Sequence, residues 1–160
     1  MSSSGRGGAV REISFWDKQL AEYILSHSVC DKNLNKRAWF AWLNRGLRQW
    51  PARRQGMTYQ NPHLACIDYL SKHPGVYCEG LYVSNIVDIP EIAVWAVNDD
   101  GLHCFSHDLT MPHSLLGNEF EAQKLQILGG QLAVEGPYLF SENPDVIKLC
   151  GVNIAQPKWH

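Results

Sequence analysis

The sequence predicts an α+β fold in which N-terminal helices pack on an antiparallel sheet. Apolar residues recur at helical spacing through much of the chain before residue 73. After it, β-branched and aromatic residues dominate two runs, Val76–Val83 and Ile92–Val97. Asn98–Gly101 is a hairpin turn signal, and Leu102–Phe105 is the expected returning strand. Helices first and a meander of strands afterwards are typical of an α+β protein.

Composition and charge limit the class of protein. The chain has 160 residues, 45% hydrophobic and 19% charged, as one globular domain would. We expect residues 1–9, rich in Ser and Gly, to be a disordered tail and residues 10–160 to be a single domain. A net charge of -2 gives no general attraction to nucleic acid or to an anionic membrane. Five scattered cysteines, an odd number, are typical of reduced thiols.

No membrane or export signal is recognisable. No apolar run approaches the roughly 20 residues that span a bilayer. The first residues also lack the apolar stretch of a signal peptide. We therefore expect a cytoplasmic protein that does not bind membranes.

Two helices are predicted in the first third of the chain. The first begins at Ser14, with Asp17 three residues later in the manner of a capping box. The second runs from about Asn33 to Trp50 and ends at Pro51, since proline interrupts a helix.

The third helix has the strongest local signal. A polar loop over Ala52–Gln60 precedes Asn61–Pro62, which supply an N-cap and a proline at the first helical position. This helix is expected to end near Lys72, before a His-Pro-Gly break. Beyond Thr110 the pattern weakens and predicts a helix over part of Glu119–Leu128, strands at Leu132–Val134 and Tyr138–Phe140, and a last helical turn at Asn143–Pro144.

Residues 57–111 carry short motifs in a recognisable order. A helix is followed by Tyr77-Cys78-Glu79-Gly80-Leu81-Tyr82, by a strand ending near Trp95, and by His107-Asp108-Leu109-Thr110. This order resembles a group of small bacterial and phage proteins of transglutaminase- or papain-like type. In that group a cysteine starts the helix, and Tyr-x-Glu-Gly, His-Ala-Trp and Asp-x-Thr segments follow. The resemblance implies a Cys-His-Asp triad with its thiol at a helix N-terminus.

Two of the three triad positions differ in this chain. The cysteine position falls at or near Asn61 and the histidine position at Ala93, and only Asp108 is kept. Without a nucleophile and a base, the chemistry of the family cannot proceed. The resemblance therefore implies a degenerate papain/transglutaminase-like core. It implies a non-catalytic accessory protein, of phage or mobile-element origin, that engages a host or partner protein.

A displaced active site is the alternative. Cys66 lies about one turn inside the third helix, and His103 or His107 could act as its base with Asp108 as the orienting acid. Such a protein would be a cysteine-dependent hydrolase or acyltransferase. Its weakness is that Cys66 is expected to face the core, where a thiol is usually inert.

A zinc site is a further alternative. His63-x-x-Cys66 and Cys104-x-x-His107 supply the residue types of tetrahedral zinc. However, such pairs usually occupy tight turns, whereas these are expected on a helix and at a strand end. We predict no metal and no other cofactor.

A basic and aromatic stretch is the best candidate for a contact surface. Arginines near the end of the second helix could bind nucleic acid, with tryptophan for base stacking, or an acidic protein surface. Because the chain is acidic overall, a protein partner is favoured. The same tryptophans would otherwise belong to the core. The candidate binding residues are Trp39, Trp42, Arg45, Arg48, Trp50, Arg53 and Arg54.

Overall fold

A computed structural model describes residues 50–84, 90–139, 141–150 and 158–159, with isolated positions 19, 22, 28–29, 37, 41–43 and 45. The strands of this part of the chain are β1 (Ser28–Val29), β2 (Arg54–Gly56), β3 (Val76–Ser84), β4 (Glu91–Asn98), β5 (Gly101–Cys104), β6 (His113–Phe120) and β7 (Lys158–Trp159). The helices are α1 (Pro62–Lys72), α2 (Ala122–Gln126), which continues into a π-helix over Ile127–Gln131, and α3 (Pro144–Cys150).

One five-stranded sheet forms the centre of the protein, with the strand order β2-β5-β4-β3-β6. β3 pairs antiparallel with both β4 and β6, and β4 pairs antiparallel with β5. β2 pairs parallel with β5, so the sheet is mixed. The prediction of an entirely antiparallel sheet is therefore wrong. β1 and β7 form a separate antiparallel pair. The α+β class is confirmed.

The sheet divides the core into two apolar layers, because alternate side chains of a strand point to opposite faces. Tyr77 and Leu81 of β3 face the layer that contains Cys66 of α1. Cys78 and Tyr82 face the layer that contains Trp95. Both faces of β3 are therefore covered, which explains why its sequence is apolar along almost its whole length.

The third predicted helix is confirmed with its predicted bounds. The Asn61 side chain accepts the N–H of Leu64 at the N-terminus of α1, and Pro62 occupies the first turn. The predicted hairpin is also confirmed, since Asn98 pairs with Gly101 across the turn. Gly101 has a φ of +128°, a conformation that favours glycine.

Several predicted boundaries are wrong. Ala52–Gln60 is not entirely a loop, because β2 lies within it. The helix expected over Glu119–Leu128 starts only at Ala122, since β6 continues to Phe120. Leu132–Val134 and the described residues of Tyr138–Phe140 form no strands.

Other predictions fall mainly outside the described residues. The tail over residues 1–9 lies there entirely, and of the first helix only Gln19 and Glu22 are described, both as helical. Positions 37, 41–43 and 45 are helical, in agreement with the second helix, whereas Trp50 is not. In the described part of the chain, no helix has the length and apolar character needed to cross a membrane.

Candidate functional site

A fully buried carboxylate, that of Glu79, lies in the middle of β3. The N–H of Tyr138 donates to both of its oxygens, at 2.8 and 2.9 Å, and the N–H of Leu139 donates at 3.0 Å. The hydroxyl of Tyr77, on the same face of β3, donates at 2.6 Å. Glu79 therefore fastens the segment after the π-helix to the centre of the sheet.

His63 extends this network to the first turn of α1. Its Nδ1 lies 2.9 Å from the hydroxyl oxygen of Tyr77, and its ring packs edge-on against the rings of Tyr77 and Tyr138. Because the Tyr77 proton points to Glu79, Nδ1 of His63 is the donor to the Tyr77 oxygen. His63, Tyr77 and Glu79 thus form one hydrogen-bonded chain, which we call the buried relay.

Burial controls the charge states in the buried relay. It raises the pKa of Glu79 to about 7, although the hydrogen bonds from Tyr77, Tyr138 and Leu139 favour the carboxylate. It also lowers the pKa of His63, against the attraction of the Glu135 carboxylate. Glu79 can therefore change its protonation state near neutral pH, and a pKa shifted in this way is common at functional sites.

The position at which the papain- or transglutaminase-like resemblance implies a cysteine is occupied by a helix cap. The Asn61 side-chain oxygen accepts the N–H of Leu64 at 3.1 Å, and its amide group donates to Glu135 at 2.7 Å. Both ends of this side chain are thus engaged in holding the start of α1 and a loop together.

The other two positions of the implied triad also hold residues that belong to local structure. Ala93 is fully buried in β4, where it pairs with Gly80 of β3. Asp108 is exposed and accepts the N–H of Thr110 at 2.8 Å, and hydrogen bonds from Thr110 lower the pKa of its carboxyl group. This arrangement is a tight turn that Asp108 closes with its own side chain.

The Cys66 thiol lies in the core, with no measurable exposure. Burial raises its pKa, and the nearby groups of Cys104 and Glu79 raise it further. A nucleophilic cysteine needs the opposite shift, toward the thiolate. Among the described residues, neither His103 nor His107 is a hydrogen-bond partner of Cys66.

His107 has partners of its own. Its Nδ1 lies 2.9 Å from the Ser106 hydroxyl and its Nε2 lies 3.2 Å from the Glu91 carboxylate. Its ring stacks on Tyr82, with a centroid distance of 4.1 Å. Burial lowers the pKa of His107, and Glu91 partly opposes this shift. His107 is therefore oriented by its own hairpin rather than by the thiol.

His103 lies on the other face of the sheet from its neighbour Cys104. Its ring packs against Tyr69 of α1, with a centroid distance of 5.0 Å, and burial lowers its pKa. The catalytic roles of Cys66, His103 and Asp108 stay predictions, and the structure does not bring them together as hydrogen-bonded partners.

Two of the three tryptophans of the predicted contact surface lie in the core, since Trp42 and Trp50 are each 4% exposed. Trp50 packs edge-on against Trp95 at 5.3 Å between ring centroids. A buried indole cannot act as a stacking platform for a base without unpacking the core.

The arginines of the predicted contact surface differ in their exposure. Arg45 and Arg53 are exposed, whereas Arg54 is half-buried in β2 and donates from Nε to the carbonyl of Pro51 at 3.0 Å. Trp39 and Arg48 lie outside the described residues.

An open groove of about 620 Å³ lies between α1 and α2. We call it the α1–α2 groove. Glu119 and Glu121 are the charged residues among the described residues that line it. The apolar part of its lining consists mainly of Ile67 and Leu70 of α1, Val76 and Tyr77 of β3, Phe120 of β6, and Leu125 of α2.

Sequence reasoning missed both the buried relay and the groove. The signal for the relay was Glu79 itself, a charged residue in a nine-residue strand that is otherwise almost wholly apolar. The groove had a weaker signal, Ile67, which is exposed on α1 although most apolar residues of that helix pack on the core.

In the described part of the chain, the fold does not support the predicted alternative of a zinc site. No group of three or more His, Cys, Asp and Glu side chains suited to a metal ion occurs among the described residues. No protein family matches this sequence, and no curated protein or solved structure matches it either.

Proposed function

We propose that this chain is a non-catalytic binding protein that engages a partner protein. The observation that carries the proposal is the role of Asn61. It stands where the resemblance implies a nucleophile, at the N-terminus of α1, and both ends of its side chain are hydrogen-bonded. An amide in this position stabilises the helix but supplies no thiolate.

The burial of the Cys66 thiol supports the same proposal. Cys66 is buried and its pKa is raised by that burial, so the thiol form dominates at neutral pH. An acyl-transfer reaction would need this sulfur at the surface, beside an imidazole that could accept its proton. One candidate base, His107, is hydrogen-bonded to Ser106 and Glu91 instead.

The reactivity of Cys66 in the native protein tests this function. We expect iodoacetamide to modify Cys66 at least about a hundredfold more slowly than a free cysteine, because modification requires unfolding. Peptide mass spectrometry across a range of pH measures the rate, and C66S identifies the modified peptide. In urea the rate should increase in parallel with the fraction of unfolded protein.

The opposite result would favour the hydrolase alternative. Modification of native Cys66 that is faster than that of a free cysteine, and that persists below its usual pKa of about 8.5, would require an activated thiolate. The proposal of a non-catalytic protein would then be abandoned.

A further inference from the structure

We propose that the α1–α2 groove binds a segment of the partner protein that carries large apolar side chains beside lysine or arginine. This inference rests on the proposed binding function and names the surface and the chemistry of the partner. The size of the groove, its apolar lining and the sign of its charges each support it.

The size of the groove is that of a binding site. Its volume of about 620 Å³ falls within the range of roughly 300–1,000 Å³ that is typical of sites for bound ligands. Helices form both walls, and Val76, Tyr77 and Phe120 come from paired strands of the sheet. A site on helices and strands is more rigid than one on loops. Fewer side chains and backbone segments therefore lose conformational freedom when a partner binds.

The apolar lining reaches the surface. Ile67 is 37% exposed, while Leu70 and Leu125 are half-buried on the facing helices. On the groove side, no described residue covers these three side chains. Leu70 and Leu125 also pack on the core. Burying such surface under a second apolar side chain would contribute about 25 cal/mol for each Å² removed from water.

The charges specify the partner more narrowly. Glu119 and Glu121 line one end of the groove, and no lysine or arginine is among its described lining residues. Arg45 and Lys124 lie with the same two carboxylates in a neighbouring pocket, outside the groove. A cation of the partner that enters from the groove side meets the exposed carboxylate of Glu121, and an acidic segment would be repelled.

The chain offers a matched pair of variants for the apolar contact. Leu64 and Ile67 are both exposed apolar residues of α1, but only Ile67 lines the groove. I67K places a cation in the groove, whereas L64K makes the same change one turn away. For the charge, E121K alters the groove and E142K alters an exposed carboxylate outside it.

The test selects peptides from a displayed library of short random sequences against the full chain. We expect enriched peptides to combine leucine or aromatic residues with lysine or arginine. Fluorescence anisotropy of the best labelled peptide should give a Kd that I67K and E121K each increase by about tenfold or more. L64K and E142K should change the Kd by less than about twofold.

Several outcomes would overturn this inference. They are enrichment of acidic or uncharged peptides, equal binding to I67K and to the wild type, and no enrichment above a protein-free control. A dimer that I67K dissociates in sedimentation would also overturn it, because the occupant would then be a second copy of the chain. The proposed function fails separately, on rapid labelling of Cys66, so the two failures are distinguishable.

Discussion

Replacing Glu79 with glutamine removes the buried charge and keeps the shape of the side chain. The glutamine oxygen can accept the N–H groups of Tyr138 and Leu139, which now donate to Glu79. Its amide nitrogen then donates to the Tyr77 oxygen, and the Tyr77 hydroxyl donates to Nδ1 of His63, 2.9 Å away, once the imidazole carries its proton on Nε2 instead of Nδ1. E79Q therefore imitates the protonated form of Glu79 with its hydrogen bonds satisfied.

The magnitude follows from the pKa of Glu79. Burial raises it from an ordinary value of 4.5 to about 7. Between these two pH values the folded protein retains a proton that the unfolded chain has released. The contribution of Glu79 to stability is therefore complete below about pH 4.5 and is lost as the pH rises through about 7. At about 1.4 kcal/mol for each pKa unit, ionisation of Glu79 should lower the free energy of unfolding by about 3 kcal/mol.

Other buried groups change the stability in the opposite direction. Burial lowers the pKa values of His63, His103 and His107, so their contributions are lost as the pH falls below their ordinary 6.5. The difference between E79Q and the wild type is therefore more informative than either curve alone. From about pH 4 to about pH 8, this difference should shift by about 3 kcal/mol in favour of E79Q.

Urea unfolding followed by tryptophan fluorescence measures this difference, since Trp95 is fully buried. The matched control is E142Q, at an exposed carboxylate, whose difference from the wild type should not vary with pH. E79L should lose stability at every pH, because two N–H groups lose their acceptor at about 1–3 kcal/mol each. A constant difference between E79Q and the wild type would show that Glu79 ionises freely, and would refute the reasoning.

Two further predictions concern the sheet and its hairpin. In G80A the new Cβ would collide with the Leu116 carbonyl of β6, so urea unfolding should show a loss of about 3 kcal/mol. G129A is the control, because nothing lies within 4 Å of its Cβ, and a loss similar to that of G80A would contradict the packing argument. E91Q removes the carboxylate that partly offsets the effect of burial on His107, so the pKa of His107 should fall further. An NMR titration measures the pKa of His107. An unchanged or higher pKa in E91Q would mean that Glu91 and His107 do not form a pair.

The sequence predicted the elements whose signals are local. Asn61 and Pro62 mark the start of α1, and Asn98–Gly101 marks the hairpin, because a cap and a turn depend on only a few adjacent residues. Gly80 lies against Gly117 of β6, and a glycine within an apolar strand is typical of such a close backbone approach.

The elements that were missed depend on distant partners. β2 is a short, mostly polar strand, and it is a strand because it pairs parallel with β5, which follows it only after α1, β3 and β4. Tyr138 and Leu139 have the residue types of a strand, but their N–H groups donate to the Glu79 side chain and not to a neighbouring strand. A hydrogen bond from the backbone to a distant side chain leaves no periodic signal in the sequence.

The same limitation applies to the candidate site. A carboxylate within an apolar strand indicates a buried polar network, because an unpaired charge would be too costly there. It does not indicate that the donors lie about 60 residues later in the chain, at Tyr138 and Leu139. The groove is assembled from α1, two strands and α2, so no single stretch of sequence contains it.

Tyr77 connects the buried relay to the proposed binding surface. Tyr77 lines the α1–α2 groove, is only 1% exposed, and its hydroxyl is held by Glu79 at 2.6 Å and by His63 at 2.9 Å. A buried ring that is fixed at its polar end keeps this part of the groove in one conformation before a partner binds, and a preorganised surface binds more tightly for that reason. Both E79Q and the wild type give this hydroxyl two hydrogen-bond partners, whereas E79L leaves only His63. On the proposed function, E79L should therefore weaken peptide binding more than E79Q, even under conditions where both variants are fully folded.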